Sequence, residues 1–324
     1  MTEDSSAADQ NPMLNYSSLV LFFKGIAMGL GDSVPGVSGG TIAVITNIYE
    51  RLIFAILSID GRAVKILFAM HFAKFWQHID GNFLLLVVLG ALTGLIISAH
   101  TVLFLLTSYP EPLMAFFIGL ILASTWILRS QYERNNYAIW AAILFGVGVA
   151  VLVGNLEPRI ANANPVYVFI CGAIGICAMI LPGLSGAFIL LLLGVYQFIL
   201  TALVQFDVLY IIVFASGCIV GLLSFSRVLA WLLKNYHNLT FGFISGMLLG
   251  SVYVLWPWRQ AISFYIDSSG IQHPLQTVKI WPLNYTEITG NPSWLAISLI
   301  SFVGGIAVVV LLHSIFNKKD AANV

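Results

Sequence analysis

Two short stretches concentrate the residues able to hold a ligand. SVPGVSGGT at 33–41 and LPGLSGA at 181–187 each set glycines and a serine just ahead of an apolar run. A helix starting at such a loop presents free amides and the positive end of its dipole. That arrangement stabilises an anion, most strongly away from bulk water. Ser38, Gly39, Gly40 and Thr41 in the first stretch, with Ser185 and Gly186 in the second, are therefore candidate contacts to a phosphate or another small anion. The competing reading is a purely structural break in a helix. GVSGGT lacks the Gly-Lys-Ser/Thr ending of a Walker A loop, so it carries no nucleotide signal.

Few ionisable side chains accompany these loops. Asp32 stands just before the first one, Lys24 lies upstream, and Glu50 and Arg51 follow. His100 and Arg227 lie inside otherwise apolar runs, where a charge is costly and suggests a function. Arg227 is a candidate contact to an anionic substrate, set against a snorkelling interfacial arginine. Asp32 and His100 are candidate charge or coupling contacts, set against local capping and ordinary helix packing. This supply of His, Asp and Glu is too poor for an acid/base or metal-dependent enzyme, so no catalytic residue, metal or cofactor is expected. Cys171, Cys177 and Cys218 have no CxxC spacing and read as buried apolar residues.

The elements that must position these residues are membrane helices. Hydrophobic residues make up 59% of the 324 positions and charged residues 9%, with mean hydropathy +0.94. A soluble protein of this length needs more charge to cover its surface. The formal net charge of zero gives no sign of a nucleic-acid partner. Apolar blocks run over 17–58, 82–107, 111–129, 138–154, 165–206, 209–233, 240–258 and 293–316, each long enough to fill a membrane crossing. The first and fifth are too long for one crossing and break at a Pro-Gly pair. Each reads as two helical arms around a non-helical loop, either re-entrant or fully spanning. Such a loop at membrane depth must line protein or a wet cavity.

The chain also repeats itself. An offset of 147 residues carries Pro35 onto Pro182, Ser38 onto Ser185, Gly39 onto Gly186, Gly25 onto Gly172 and Tyr49 onto Tyr196. An offset of 127 then carries Gly90 onto Gly217, Gly119 onto Gly246 and His100 onto Arg227, and Gly146 falls opposite Gly304. The expected fold is an all-α polytopic membrane protein of two repeats, at 17–158 and 165–316. Each begins with a helix-break-helix hairpin and continues with three membrane helices. Residues 1–16 read as a disordered tail, 60–80 as a cytoplasmic interfacial segment, 259–291 as an outer loop and 317–324 as a cytoplasmic tail. Arg51, Arg62, Lys65, Lys74, Arg129, Arg134, Lys234, Lys318 and Lys319 mark cytoplasmic loops and termini. Counting crossings from these marks gives the two repeats opposite orientations, a recurring design of secondary transporters.

GDSVPGVSGGTIA at 31–43 together with PGLSGAFILLLLGVY at 182–196 resembles the PopT-like family of bacterial polyprenyl-phosphate translocases, over about residues 18–315. The resemblance implies return of undecaprenyl phosphate from the outer to the inner leaflet of the bacterial cytoplasmic membrane, with the motif serines and glycines around the phosphate path. The implied partners are that lipid and the bilayer. In the second motif Ala187 replaces Gly40 and Phe188 replaces Thr41, so a strictly twofold site is not expected. The alternative left open by the residues is a transporter or channel for a small soluble anion.

Overall fold

In a bilayer no water is at hand for the backbone, so apolar segments bond internally as helices. The computed structural model describes residues 18–32, 38–133, 136–156, 164–266 and 272–321. Its helices begin with α1 (Ser18–Asp32), α2 (Gly39–Ile45), α3 (Tyr49–Leu57), α4 (Gly61–Phe68) and α5 (Phe72–His78). They continue as α6 (Gly81–Ser108), α7 (Pro110–Leu128), α8 (Tyr137–Gly154), α9 (Pro165–Ile180), α10 (Gly186–Leu192) and α11 (Tyr196–Val204). Next come α12 (Val208–Asn235) and α13 (His237–Val254), a hairpin of β1 (Arg259–Ile266) and β2 (Gln272–Lys279), then α14 (Pro282–Thr289) and α15 (Leu295–Ala321). Among the described residues, α6, α7, α8 and α12 are each long and apolar enough to cross a membrane. The chain is a multi-pass membrane protein whose membrane-embedded part is helical.

Four helix pairs build the body: α1 with α6, α9 with α12, α7 with α15 and α8 with α13. Glycine lets their backbones touch. A Cβ at Gly90 would run into the Phe22 carbonyl, and one at Gly217 into the Phe169 carbonyl. Small residues at such crossings are the usual means of close packing in lipid. The same contact recurs at Gly119 against Phe302 and at Gly246 against Ile143. Gly146 meets the Phe243 carbonyl, and the matching contact to the Phe116 carbonyl is made by Gly305, one residue beyond Gly304. The centre is occupied by α2, α7 and α13, where Ile42, Ala43, Ile121, Ile244 and Leu248 are buried together.

Each long block is broken twice, where the sequence shows one break. After α2 the chain turns at Asn47, in left-handed conformation at φ 56°, and α3 leaves at 118° to α2. The Ile48 amide bonds back to the Ala43 carbonyl at 2.9 Å. After α10 the same turn is made at Gly194, φ 71°, with the Val195 amide on the Leu190 carbonyl at 3.1 Å. This 6→1 bond around a left-handed residue is a Schellman ending, which glycine and asparagine tolerate best. Buried Lys24 donates from Nζ to the Thr46 carbonyl at 2.7 Å, placing its charge where α2 ends in unpaired carbonyls.

The expected interfacial segment is two short helices, α4 and α5, which leave Phe68, Met70 and Phe72 exposed. Asp60 caps α4, accepting from the Ala63 and Arg62 amides at 2.9 Å, and the Ala63 bond above all, then His78 and Arg62, hold its carboxyl below the usual range. Arg51, at the start of α3, pairs with Asp80 at 2.8 Å and lies over the Phe83 ring. The segment read as an outer loop is also folded. RQAISFYI and QHPLQTVK pair antiparallel, Arg259 facing Lys279, with the register shifted around Ser263. Trp258, Ile280 and Tyr285 form a small core beneath the hairpin. Tyr285 donates to the buried Glu111 carboxylate at the start of α7, 2.7 Å away. Burial, then that carboxylate, push the Tyr285 hydroxyl up to about 12.

Candidate substrate site

The two glycine-serine stretches meet each other. Ser38 is the N-cap of α2, its hydroxyl accepting from the Thr41 amide at 3.3 Å. Ser185 caps α10 in the same way, accepting from the Phe188 amide at 3.4 Å. Such capping explains a serine before each short helix without any ligand.

The contacts across the chain are less local. Ser38 Oγ donates to the Leu181 carbonyl at 3.3 Å, and Tyr49 Oη donates to the Ile180 carbonyl at 3.3 Å. In return the Gly183 amide donates to Thr41 Oγ1 at 3.1 Å. The last carbonyls of α9, which have no partner within a helix that stops there, are thus met by hydroxyls from the other stretch. Gly40 has no room for a side chain, since a Cβ would lie 2.5 Å from the Ile180 carbonyl. Gly183 has a positive φ of 90°, and a Cβ there would lie 2.8 Å from the Met247 carbonyl. Glycine is needed at both places, once for close approach and once for backbone conformation.

Ser38, Gly39, Gly40, Thr41, Ser185, Gly186 and Asp32 therefore belong to one neighbourhood. Ser38 and Thr41 are almost wholly buried. The Gly39 amide donates to the Asp32 carboxylate, so a negative group of the protein occupies the place expected for an anion. Gly39 packs on Asp32 as Gly186 packs on Met179, although only the first contact is charged. Residues 33–37, with Pro35 and Gly36, lie outside the described residues. Arg227 is not brought to the loops. It is exposed on α12 and donates to the Leu223 carbonyl of its own helix at 2.7 Å. His100 lies within α6, but its side chain is outside the described residues.

A cavity of about 170 Å³ opens beside the second loop. Gly183, Leu184, Ser185 and Phe188 line it together with Met114, the ends of α8 and α13, and Arg259. Arg259 donates from Nε to the Trp256 carbonyl at 2.8 Å. Its terminal nitrogens have no hydrogen-bond or carboxylate partner among the described residues. Burial without a counter-charge lowers its pKa. The sequence reading missed this residue because it opens a polar stretch taken as an outer loop. The available signal was that Arg259 and Lys279 are the only Lys or Arg between 259 and 291. Among the described residues no three His, Cys, Asp or Glu come together as a metal site.

Comparison with known proteins agrees with the double motif. The family described as "VCA0040-like: Undecaprenyl phosphate translocase-like" matches residues 28–273. A "Polyprenyl-phosphate transporter" of Vibrio cholerae serotype O1 (strain ATCC 39315 / El Tor Inaba N16961) is 40% identical over 310 residues, covering 94% of this chain and 98% of that protein. A "Polyprenyl-phosphate transporter" of Staphylococcus aureus (strain NCTC 8325 / PS 47) is 28% identical over 252 residues, 72% of this chain and 84% of that one. No solved structure matches. On the strength of the family match and the near full-length relative, this chain belongs to the bacterial polyprenyl-phosphate translocase family.

Proposed function

We propose that the protein carries undecaprenyl phosphate from the outer to the inner leaflet of the bacterial cytoplasmic membrane, for reuse as a carrier lipid. The observation that carries this reading is the reciprocal hydrogen bonding of the two loops, Ser38 to Leu181 and Gly183 to Thr41, in a member of this family. A contact made by both halves of the chain at its centre is the natural place for an alternating barrier. The phosphate passes along Ser38, Gly39, Gly40, Thr41, Ser185 and Gly186, while the apolar tail stays in lipid, where its hydrophobic stabilisation is kept.

The two-repeat architecture is part of the proposal. Matched glycine contacts, and matched left-handed turns at Asn47 and Gly194, support it. Opposite orientation of the repeats, re-entrant first hairpins and cytoplasmic termini rest on the distribution of Lys and Arg. Arg227 enters as a bilayer-facing contact for the headgroup on its cytoplasmic side. Asp32 and His100 enter as charge or coupling contacts. No covalent step and no cofactor are needed.

The test is leaflet-resolved movement of labelled undecaprenyl phosphate in proteoliposomes, comparing the intact protein, the Ser38→Ala/Ser185→Ala double variant and empty liposomes. Protein-dependent movement that the folded double variant loses is the expected result. Movement no faster than in empty liposomes, with a proton gradient, a sodium gradient or neither, overturns transport. Competition by a soluble anion with no effect of the lipid would favour the alternative substrate class.

A further inference from the structure

The cavity lining holds a positive charge with no carboxylate partner among the described residues. Arg259 is half-buried in the cavity lining, and its terminal nitrogens have no acceptor among the described residues. A guanidinium half-withdrawn into a mostly apolar lining favours a nearby counter-charge. Directly across the hairpin stands Lys279, so two positive residues face each other at the base of the ladder. Like charges in that relation destabilise a sheet. Lys279 rests its ammonium over the Tyr253 ring at 2.9 Å, beside the end of α13 that forms a cavity wall. The buried Glu111 carboxylate is taken by Tyr285. An anion beside Arg259 would relieve both imbalances at once.

The rest of the lining defines what kind of anion. Ser185 Oγ accepts from Phe188, which leaves its proton free to donate. Leu184, Phe188, Met114 and Val254 are apolar, so most of the wall suits hydrocarbon. The volume is of the order that holds a benzene-sized guest in other proteins. A planar guanidinium matches a phosphate with two parallel bonds. Beyond the cavity, α8 exposes Leu144, Phe145 and Leu152 to the bilayer, a surface along which an acyl or prenyl chain can lie.

Resting on the transport reading above, we infer that this cavity is an outer-side receptor for the phosphate monoester of a prenyl lipid. Arg259 is its charge-bearing ligand, Ser185 a hydroxyl donor and Lys279 a second cation at the rim. It is distinct from the contact between the two loops. It captures the headgroup before the loops part, and Gly183, which both lines the cavity and bonds Thr41, joins the two places.

The experiment measures binding to the purified full-length protein in detergent, by calorimetry, with farnesyl phosphate, farnesol and inorganic phosphate as probes. Farnesyl phosphate is expected to bind at least about tenfold tighter than either of the others, since it alone satisfies both the cation and the apolar wall. Arg259→Gln should weaken farnesyl phosphate about tenfold or more, Arg259→Lys less, and Lys65→Gln on the distant α4 not at all. As a measurement independent of those variants, Val153→Cys on the cavity wall should be labelled by an impermeant maleimide and protected by farnesyl phosphate. Equal binding by Arg259→Gln and by the unaltered protein, or absence of protection at position 153, overturns the receptor while leaving transport standing. Equal affinity for inorganic phosphate overturns its assignment to a lipid. Failure of the unaltered protein to bind farnesyl phosphate likewise overturns the receptor, whereas the reading it rests on falls only if the proteoliposomes show no protein-dependent movement.

Discussion

Thr41→Val isolates the contact between the loops. The substitution preserves shape at a fully buried position and removes only the acceptor for the Gly183 amide. That amide sits in a left-handed turn whose α-carbon packs against the Met247 carbonyl. A buried donor left unpaired costs about 1–3 kcal/mol. Purified protein should therefore lose at least about 2 °C in its thermal midpoint. Thr41→Ser, which keeps the acceptor, should recover most of that loss. The proposed transport cycle adds a second expectation. If the loops part to pass the phosphate, the bond exists only in the closed arrangement, and losing it shifts the equilibrium toward the open one by about 5- to 150-fold. Labelling of Val153→Cys should then become faster in the Thr41→Val background. Unchanged stability in Thr41→Val, or equal damage from Thr41→Ser, would refute the assignment of the bond. Reduced stability with unchanged labelling would refute its role as a barrier.

Asn47→Val should destabilise the folded protein by about 1–2 kcal/mol, because a β-branched residue resists the left-handed turn, while Asn47→Gly should be tolerated; chemical unfolding in mixed micelles measures both, and equal effects would remove the turn as the cause. Tyr285→Phe leaves the buried Glu111 carboxylate without its donor and should cost about 1–3 kcal/mol in the same assay. The raised Tyr285 pKa favours the neutral phenol in the folded state. Its contribution is thus complete below the ordinary tyrosine value of 10.0 and lost as pH rises toward about 12. Stability of the unaltered protein should fall over that interval, and Tyr285→Phe should flatten the fall. Arg227→Gln should weaken prenyl-phosphate binding by no more than about fivefold, since an exposed charge is screened; no change at all would remove Arg227 from the pathway.

Membrane class and most helix positions were legible because lipid imposes one pattern on the chain, a long apolar run. Helices α6, α7, α8 and α12 fall within a few residues of the apolar blocks. The breaks were legible only where Pro and Gly mark them. Asn47 gave no comparable signal, and its partner Gly194 was one glycine among 28, so the second turn in each block escaped notice. The β1–β2 hairpin was hidden by its aromatic residues, which resemble an interfacial girdle as much as a strand. At the site, Ser38 and Thr41 were found by type, but their bonds to Leu181 and Gly183 join residues about 140 positions apart, a pairing that no local pattern contains. Arg259 was overlooked for the same reason: its meaning comes from the loop it faces.

The Asp32–Gly39 bond bears on why such a protein would not leak small anions. The amide is engaged by a carboxylate seven residues away on the same chain. A tethered group of this kind acts as a competitor at an effective concentration on the order of millimolar or higher. A dilute soluble ion would lose to it. A lipid phosphate confined to the membrane plane arrives at a far higher local density, aligned by its tail. The carboxylate would then set a threshold that anchored phosphates cross and freely diffusing ones do not.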